Sequence, residues 1–260
     1  MIDLHSHILP GLDDGVQSMD ESVELARAAA AGGTRKMVAT PHVDSNYGLD
    51  LTPIGPLCGE LNATLAREQV PLAVLPGAEI ALPRLEDMDE RELRELCLGR
   101  AGHLLVETPY TGAVPSLEEA LFAVQVRGMT PVLAHPERSS ALQGDLVRVR
   151  GLVERGVLLS VDAGSMAGRF GSRAEDTALA FLSEGLVHNV ASDAHDLEGR
   201  PPDLLGGFEA AERALPGIAA QAPWYTHDAP AAMLAGAALP PRPPTIRRAG
   251  SRLRRLFSRG

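Results

Sequence analysis

The chain has 260 residues, of which 45% are hydrophobic and 22% charged, so it can bury one large core or two smaller ones. No stretch approaches the roughly 18 uninterrupted apolar residues that a membrane helix needs. The net charge of −10 and the 3% aromatic content argue against nucleic-acid binding. The sequence start lacks the basic and apolar regions of a signal peptide, and we expect a cytoplasmic protein.

Short apolar runs alternate with helical patterns along the chain. Ser18 and Glu21 have the spacing of a capping box, and the helix that they begin ends at Gly32 and Gly33. The predicted strands are residues 2–5, 36–40, 72–80, 103–107, 129–134, 157–161 and 186–191. The other predicted helices are residues 56–68, 90–98, 116–126, 146–154, 175–184 and 203–214. This alternation indicates an α/β fold with a parallel sheet closed into a barrel, and a doubly wound open sheet is the alternative.

The charge is unevenly distributed along the chain. All 34 acidic residues lie within residues 1–228, and seven arginines follow them. We therefore expect one domain over residues 1–236 and a flexible Pro-rich, Arg-rich tail over residues 237–260. Residues 246–257 mix arginine with leucine and phenylalanine. They are interpreted either as a solvated terminus or as a weak contact to an anionic membrane surface or an acidic partner.

The two cysteines, Cys58 and Cys97, exclude a disulfide scaffold. Both fit a reducing compartment, in which they act as small buried hydrophobic residues.

Most of the histidines fall at one kind of position. Five of the eight lie at or just past the ends of predicted strands, and four carboxylates occupy the same kind of place. These nine residues are His5, His7, Asp14, His42, Glu79, Glu107, His135, Asp193 and His195. The C-terminal ends of the strands form the active-site face of α/β barrels, so the nine side chains are expected to converge. His103 and His188 begin strands at the opposite face, and His227 lies near the C-terminus, so all three are expected to be structural or solvated.

Taken singly, each of these groups is a weak signal, but together they indicate a polynuclear metal centre. Four carboxylates facing one cavity repel one another, and two or three divalent ions would neutralise them. Imidazole and carboxylate without thiolate suit manganese, iron or zinc. Paired metals support phosphoryl transfer by activating water and holding both reacting oxygens.

Two arginines follow predicted metal ligands closely. Arg138 comes after His135, and Arg200 comes after His195. Both are candidates to bind phosphate oxygens with a planar guanidinium group, and the alternative is a salt bridge to Glu137 or Glu198. Tyr110 is placed either at the mouth of the site or in loop packing, and Asp162 is assigned no role.

The motifs resemble those of a known family. The stretches IDLHSHILPGLDDG, ATPH, PGAEI, LVETPY, LAHPER and ASDAH resemble the polymerase-and-histidinol-phosphatase (PHP) superfamily. Within it, the chain is most similar to bacterial manganese-dependent tyrosine-protein phosphatases of capsule and exopolysaccharide gene clusters. The resemblance extends from residue 1 to about residue 236.

The resemblance implies a distorted (β/α)7 barrel of the PHP type, with the nine residues above as ligands of a trinuclear centre and Mn²⁺ as the expected metal. It implies Arg138 and, less directly, Arg200 as phosphate ligands. The implied substrate is a phosphotyrosine protein, namely a tyrosine kinase of polysaccharide assembly. A metal-bound hydroxide would attack phosphorus in line, with His42 or Asp193 as a proton carrier.

Three other functions are weighed against this one. A small-molecule phosphatase such as a histidinol phosphatase would use the same metals. A carbon–nitrogen hydrolase would use a carboxylated lysine at a central strand end, but the only lysine, Lys36, begins a strand. A metal-stabilised scaffold without activity is the third. The Cys-x5-Arg loop of cysteine-dependent tyrosine phosphatases is absent from the sequence.

Overall fold

The structure is a computed structural model that describes residues 1–47 and 53–249. Its strands are β1 Ile2–Ser6, β2 Lys36–Ala39, β3 His42–Val43, β4 Ala73–Pro76, β5 Glu79–Ala81, β6 His103–Glu107, β7 Thr130–Ala134, β8 Leu158–Asp162 and β9 Asn189–Ala191. Its α-helices are α1 Met19–Ala31, α2 Ile54–Arg67, α3 Glu90–Glu95, α4 Leu117–Val126, α5 Leu146–Glu154, α6 Ala163–Met166, α7 Ser172–Ser183, α8 Leu204–Ala211 and α9 Ala229–Leu234. None of these helices is both long and apolar enough to cross a membrane.

Every strand pair among the described residues is parallel. The strands form a three-stranded sheet of order β1-β2-β4 and a six-stranded sheet of order β3-β5-β6-β7-β8-β9. Helices connect most successive strands, and the strands are buried on both faces, which explains their continuous apolar sequences. The predicted parallel α/β fold is confirmed. The strand pairing does not confirm a closed ring of seven strands.

The sheets separate where the predicted strand 72–80 is interrupted and where the short strand β3 follows β2. The predicted strand 72–80 breaks at Gly77 and Ala78, because the amide of Ala78 bonds to the Leu96 carbonyl instead of a neighbouring strand. A Cβ at Gly77 would lie 2.8 Å from Cγ1 of Val38, so the Val38 side chain leaves no room there for a side chain.

Helix α1 shows how local sequence places the first loop of the site. Ser18 accepts a bond from the amide of Glu21, and the Glu21 carboxylate accepts one from the amide of Ser18. The capping box predicted from the sequence is therefore confirmed. Because it fixes where α1 starts, it also fixes the length of the loop that carries Asp14.

The start of the predicted tail contacts the body of the protein. Arg242 donates to the carbonyl of Gly185 and contacts Nε2 of His188. Further along, the amide of Ala249 donates to the carbonyl of Ala214 at 2.8 Å. The remaining residues of the predicted tail, 250–260, lie outside the described residues, and the division at residue 236 stays a prediction.

Candidate metal centre

The nine predicted ligands all lie at one edge of the two sheets. His5 is in β1, His42 begins β3, Glu79 begins β5 and Glu107 ends β6, whereas the others lie in loops that follow strands: His7, Asp14, His135, Asp193 and His195. Because all strands are parallel, their carboxyl ends meet at this edge, and His42 and Glu79 come just after the ends of β2 and β4. The structure therefore brings together residues that are as far apart as positions 5 and 195.

The donor atoms form three overlapping groups. In each group, one donor atom per residue lies within 4.8 Å of the donor atoms of the other members. The groups are His7, Asp14, His42 and His195; His5, His7, Glu79 and Asp193; and His42, Glu79 and Glu107. The ninth residue, His135, lies 2.8 Å from Glu79 through its Nε2 atom. Shared members make the groups one continuous cluster.

Glu79 lies at the centre of this cluster and is fully buried. Its Oε2 atom is 3.1 Å from Nε2 of His5, 3.1 Å from Nδ1 of His42 and 3.4 Å from Nε2 of His7. Its position in the short strand β5, next to the break at Gly77, aims the carboxylate between the histidines of the neighbouring strands. One buried carboxylate thus contacts three of the imidazoles that would hold metal.

Two aspartates extend the cluster on either side. Asp193 Oδ1 lies 3.2 Å from Nε2 of His5 and 3.3 Å from Nε2 of His7, and it is buried. Asp14 Oδ1 lies 3.4 Å from Nε2 of His42 and 3.3 Å from Nε2 of His195. The Asp14 side chain is 46% exposed, so it marks the open mouth of the site.

The backbone is strained at two of these residues. His135 has φ 30° and Asp193 has φ 52°, in the left-handed region that residues with a side chain rarely occupy. Such conformations cost about 1–3 kcal/mol each and are found mainly at functional sites. In both cases the unusual turn directs a buried donor into the cluster.

The unpartnered polar atoms show that a metal fits this arrangement. Within the described part of the chain, four buried atoms of the predicted ligands have no hydrogen-bond partner: Glu79 Oε2, Asp193 Oδ1, Glu107 Oε1 and His42 Nδ1. Leaving buried polar groups unpaired is costly, and divalent cations would satisfy these lone pairs. The donor set of nitrogen and oxygen suits manganese, iron or zinc. Cys58 and Cys97 are free and buried, and neither belongs to a donor group.

The electrostatics agree with this interpretation. Burial, followed by the charge of Glu79, raises the pKa of Glu107 to about 7. Burial, followed by the Arg138 charge, lowers the pKa of His135 to about 4. Burial alone would raise the pKa of Glu79, but the imidazoles of His5 and His135 hold it well below its usual value. The carboxylates thus crowd together and need positive charge.

A further carboxylate supports the cluster from behind. Asp13 Oδ2 lies 2.6 Å from Nδ1 of His7 and accepts a bond of 2.9 Å from the amide of His42. Its other oxygen accepts a bond from the amide of Gly15. An ionised carboxylate can only accept there, so Nδ1 of His7 carries a proton and Nε2 is the nitrogen that would bind a metal. Sequence reasoning missed this role, although the motif Asp13-Asp14-Gly15 contains the signal.

The two predicted arginines form one wall of the site. Arg138 donates to Asp193 Oδ2 at 2.7 Å, and Arg200 contacts the same oxygen. Arg138 also lies 3.6 Å from Oδ2 of Asp162. The alternative salt bridges to Glu137 and Glu198 are wrong, because both arginines turn inward to the carboxylate of the cluster. Asp162, which was assigned no role from the sequence, thus contacts this wall.

Aromatic side chains border the mouth. Tyr110 stacks on His135 with a centroid distance of 5.6 Å, and Tyr47 stacks on His42 at 5.7 Å. The sequence left Tyr110 undecided between the mouth and loop packing, and the structure places it at the mouth. Tyr47 carries no sequence signal that links it to the site.

The three remaining histidines lie apart from the cluster, as predicted. His188 is buried and its Nδ1 accepts a bond from the amide of Leu159, whereas His227 is exposed and bonded to Asp228. His103 begins β6, at the opposite edge of the sheet. Lys36 is exposed at the start of β2, so it cannot supply a carboxylated lysine to the metal cluster.

Fold and site together define a parallel α/β protein with a buried cluster of donors suited to divalent metals. Residues 1–221 match the family described as "Capsular polysaccharide synthesis, CpsB/CapC", and the chain belongs to this family. It is 36% identical to the tyrosine-protein phosphatase YwqE of Bacillus subtilis over 77% of this chain and 79% of the relative. It is 33% identical to the tyrosine-protein phosphatase CpsB of Streptococcus pneumoniae over 80% of this chain and 88% of the relative.

Solved structures agree. A crystal structure from work on YwqE of Bacillus subtilis and CpsB of Streptococcus pneumoniae, described there as unique metal-dependent tyrosine phosphatases, aligns with a TM-score of 0.82. The identity is 32%, and the alignment covers 95% of this chain and 99% of that chain. The lactonase Lmo2620 from Listeria monocytogenes aligns at 12% identity with a TM-score of 0.51 over 92% of each chain, a similarity of fold alone.

Proposed function

We propose that this chain is a metal-dependent protein-tyrosine phosphatase that acts in capsule or exopolysaccharide synthesis. The observation that carries the proposal is the convergence of all nine predicted ligands on one cluster with unpartnered buried donor atoms. Membership of the CpsB/CapC family and the similarity to named tyrosine-protein phosphatases support the same activity.

The residues that would hold two or three divalent ions, with Mn²⁺ as the proposed metal, are His5, His7, Asp14, His42, Glu79, Glu107, His135, Asp193 and His195. When bound, such ions supply Lewis-acid activation of water and stabilisation of charge on the transferring phosphoryl group. The protein in turn keeps Glu79 and Asp193 ionised, since neighbouring imidazoles hold both pKa values well below the usual range.

The arginine wall would bind the phosphoryl group of the substrate. Arg138 and Arg200 present their guanidinium groups next to the cluster, and each can form hydrogen bonds to phosphate oxygens. Both arginines contact Asp193 Oδ2, and an incoming phosphate dianion would take over part of this pairing. The two arginines would thus stabilise charge on the oxygens that do not react.

The leaving group places little demand on a protein acid. A phenolate has a conjugate-acid pKa of about 10, so it leaves more easily than an alkoxide. His42 and Asp193 remain the candidates for moving a proton. Of the two, His42 is the more accessible, because its side chain is partly exposed. Asp193 is buried and its pKa is held low.

We further infer that the two sheets are parts of one distorted (β/α)7 barrel. Only two residues separate β2 from β3, and only two separate β4 from β5. A parallel bridge joins Ser6 to Ala194, next to the first and last strands. A core cluster collects side chains from five strands, as the interior of a barrel would.

The proposed substrate is a phosphotyrosine in a tyrosine kinase of polysaccharide assembly, and the enzyme would work in the cytoplasm. The test is a comparison of kcat/KM on a phosphotyrosine peptide and on histidinol phosphate, with saturating Mn²⁺. We expect at least tenfold preference for the peptide. A preference for histidinol phosphate would move the protein to the small-molecule phosphatases. Bound metal with no turnover of either substrate would indicate a scaffold.

A further inference from the structure

The loop between β8 and α7 brings an aromatic ring to the arginine wall. The ring centroid of Phe170 lies 4.0 Å from Cζ of Arg138 and 5.9 Å from Cζ of Arg200. One ring therefore faces two guanidinium groups that come from two different loops. Within about 6 Å, the negative face of an aromatic ring attracts a cation, and the attraction is stronger where water is excluded.

The two arginines need such a partner because they lie close together. Both contact the same carboxylate oxygen, Asp193 Oδ2. Like charges at this separation repel, and an aromatic ring adds to the pairing that the shared carboxylate and Asp162, 3.6 Å from Arg138, provide. Arg138 has a second ring, Tyr110, whose centroid is 4.8 Å from its Cζ. Phe170 is the ring that the two arginines share.

The sequence of the loop fits this placement of the ring. A Cβ at Gly164 would lie 3.2 Å from Cε2 of Phe170, so the glycine leaves room for the ring. The Arg169 guanidinium donates to the carbonyl of Gly199 at 2.6 Å, next to Arg200. This bond ties the loop of Phe170 to the loop of the second arginine. The segment between α6 and α7 thus contributes Phe170 to the arginine wall, although it contributes none of the nine predicted ligands.

We propose that Phe170 is a positioning residue for phosphate binding, whose ring holds the guanidinium groups of Arg138 and Arg200 together at the mouth of the site before substrate arrives. The inference rests on the proposed phosphatase function and deepens it. A wall that is formed in advance avoids the loss of side-chain freedom when phosphate binds, and it aims both guanidinium groups at the phosphoryl oxygens. Phe170 acts through the arginines and needs no contact with the substrate.

The test compares Phe170→Leu, which removes the ring but keeps an apolar side chain, with Phe170→Tyr, which keeps the ring. Phe122→Leu is the matched control, since Phe122 is 64% exposed on α4. Isothermal titration of the manganese-loaded proteins with inorganic phosphate gives Kd, and elemental analysis gives metal content. We expect Phe170→Leu to weaken phosphate binding about tenfold. Phe170→Tyr and Phe122→Leu should stay within about twofold of the parent, and all four proteins should hold equal metal.

The inference is overturned if Phe170→Leu binds phosphate as the parent does, or if Phe170→Tyr loses as much affinity as Phe170→Leu. The second result would mean that the shape of the residue matters and its π face does not. The parent's turnover of a phosphotyrosine peptide is measured in parallel. If the parent binds phosphate but turns over no peptide, the proposed function fails, while the comparison of the variants still decides the role of Phe170.

Discussion

Replacing Asp13 by asparagine should weaken metal binding without removing any predicted ligand. Asp13 Oδ2 accepts from Nδ1 of His7 at 2.6 Å and from the amide of His42 at 2.9 Å. In Asp13→Asn, the remaining oxygen can still accept from the amide of Gly15. An NH2 group then faces Nδ1 of His7 and the amide of His42, which are both donors. His7 must move its proton to Nε2, the nitrogen that faces Glu79. The imidazole then points a hydrogen atom, and no lone pair, into the cluster.

The size of the effect follows from the contacts that are lost. Supporting carboxylates of this kind change metal affinity by about 10- to 100-fold, which is about 1.4–2.7 kcal/mol. Two charge-assisted bonds to Oδ2 are lost together, so we expect the upper part of this range. Calorimetric titration of the metal-free protein with Mn²⁺ measures this affinity. Excess Mn²⁺ should restore part of the phosphatase activity of the variant.

The matched control is Asp20→Asn, which removes an exposed carboxylate in the first turn of α1. This variant should bind Mn²⁺ as the parent does. If Asp13→Asn retains the Mn²⁺ affinity of the parent, or loses no more affinity than Asp20→Asn, then Asp13 does not set the proton position on His7. That result would refute the reasoning.

Three further predictions concern other parts of the molecule. Chelation of the metal should abolish activity. Alkylation by iodoacetamide should leave activity intact, because burial raises the pKa of Cys58 to about 12 and of Cys97 to about 11. The opposite pattern would contradict the metal mechanism. Gly15→Ala places a Cβ 2.3 Å from the His7 carbonyl oxygen, so the free energy of unfolding should fall by about 2–3 kcal/mol. Thermal melting measures this loss, and an unchanged melting temperature would contradict the prediction. Burial, followed by the charge of Arg242, lowers the pKa of His188 to about 3, below its ordinary 6.5. Between these two pKa values the native state binds fewer protons than the unfolded state. The free energy of unfolding therefore falls as pH falls from about 6.5 to about 3, by up to about 1.4 kcal/mol per pH unit. Chemical denaturation of His188→Gln across this range should give a flatter profile than the parent, and parallel profiles would contradict the assignment.

The sequence predicted the gathering of the nine donors because it depends only on strand order and direction. His5 and Asp193 are far apart in sequence, but the parallel strands that precede or contain them place both at the same edge of the sheets. Once the alternation of strands and helices is read from the sequence, their approach follows without knowledge of side-chain conformation.

The features that the sequence did not predict depend on loop conformation. Asp13 and Asp14 are neighbours of the same type, and only the turn at Gly15 decides which carboxylate lies behind His7. Phe170 and Tyr47 reach the site through loops whose direction no periodic pattern encodes.

The same limit applies to the fold. The break at Gly77 and Ala78 comes with the bond from the amide of Ala78 to the Leu96 carbonyl, which is a tertiary contact. Helix α6 is too short to show helical periodicity, and α9, with the sequence APAAML, lacks a polar face that would identify it.

The most direct test of the account is the metal content of the purified protein, measured by elemental analysis together with turnover of a phosphotyrosine peptide before and after chelation. The account predicts two or three divalent ions per chain, loss of both metal and turnover on chelation, and recovery of turnover with Mn²⁺. Full turnover by a protein that retains less than one ion per chain would contradict it.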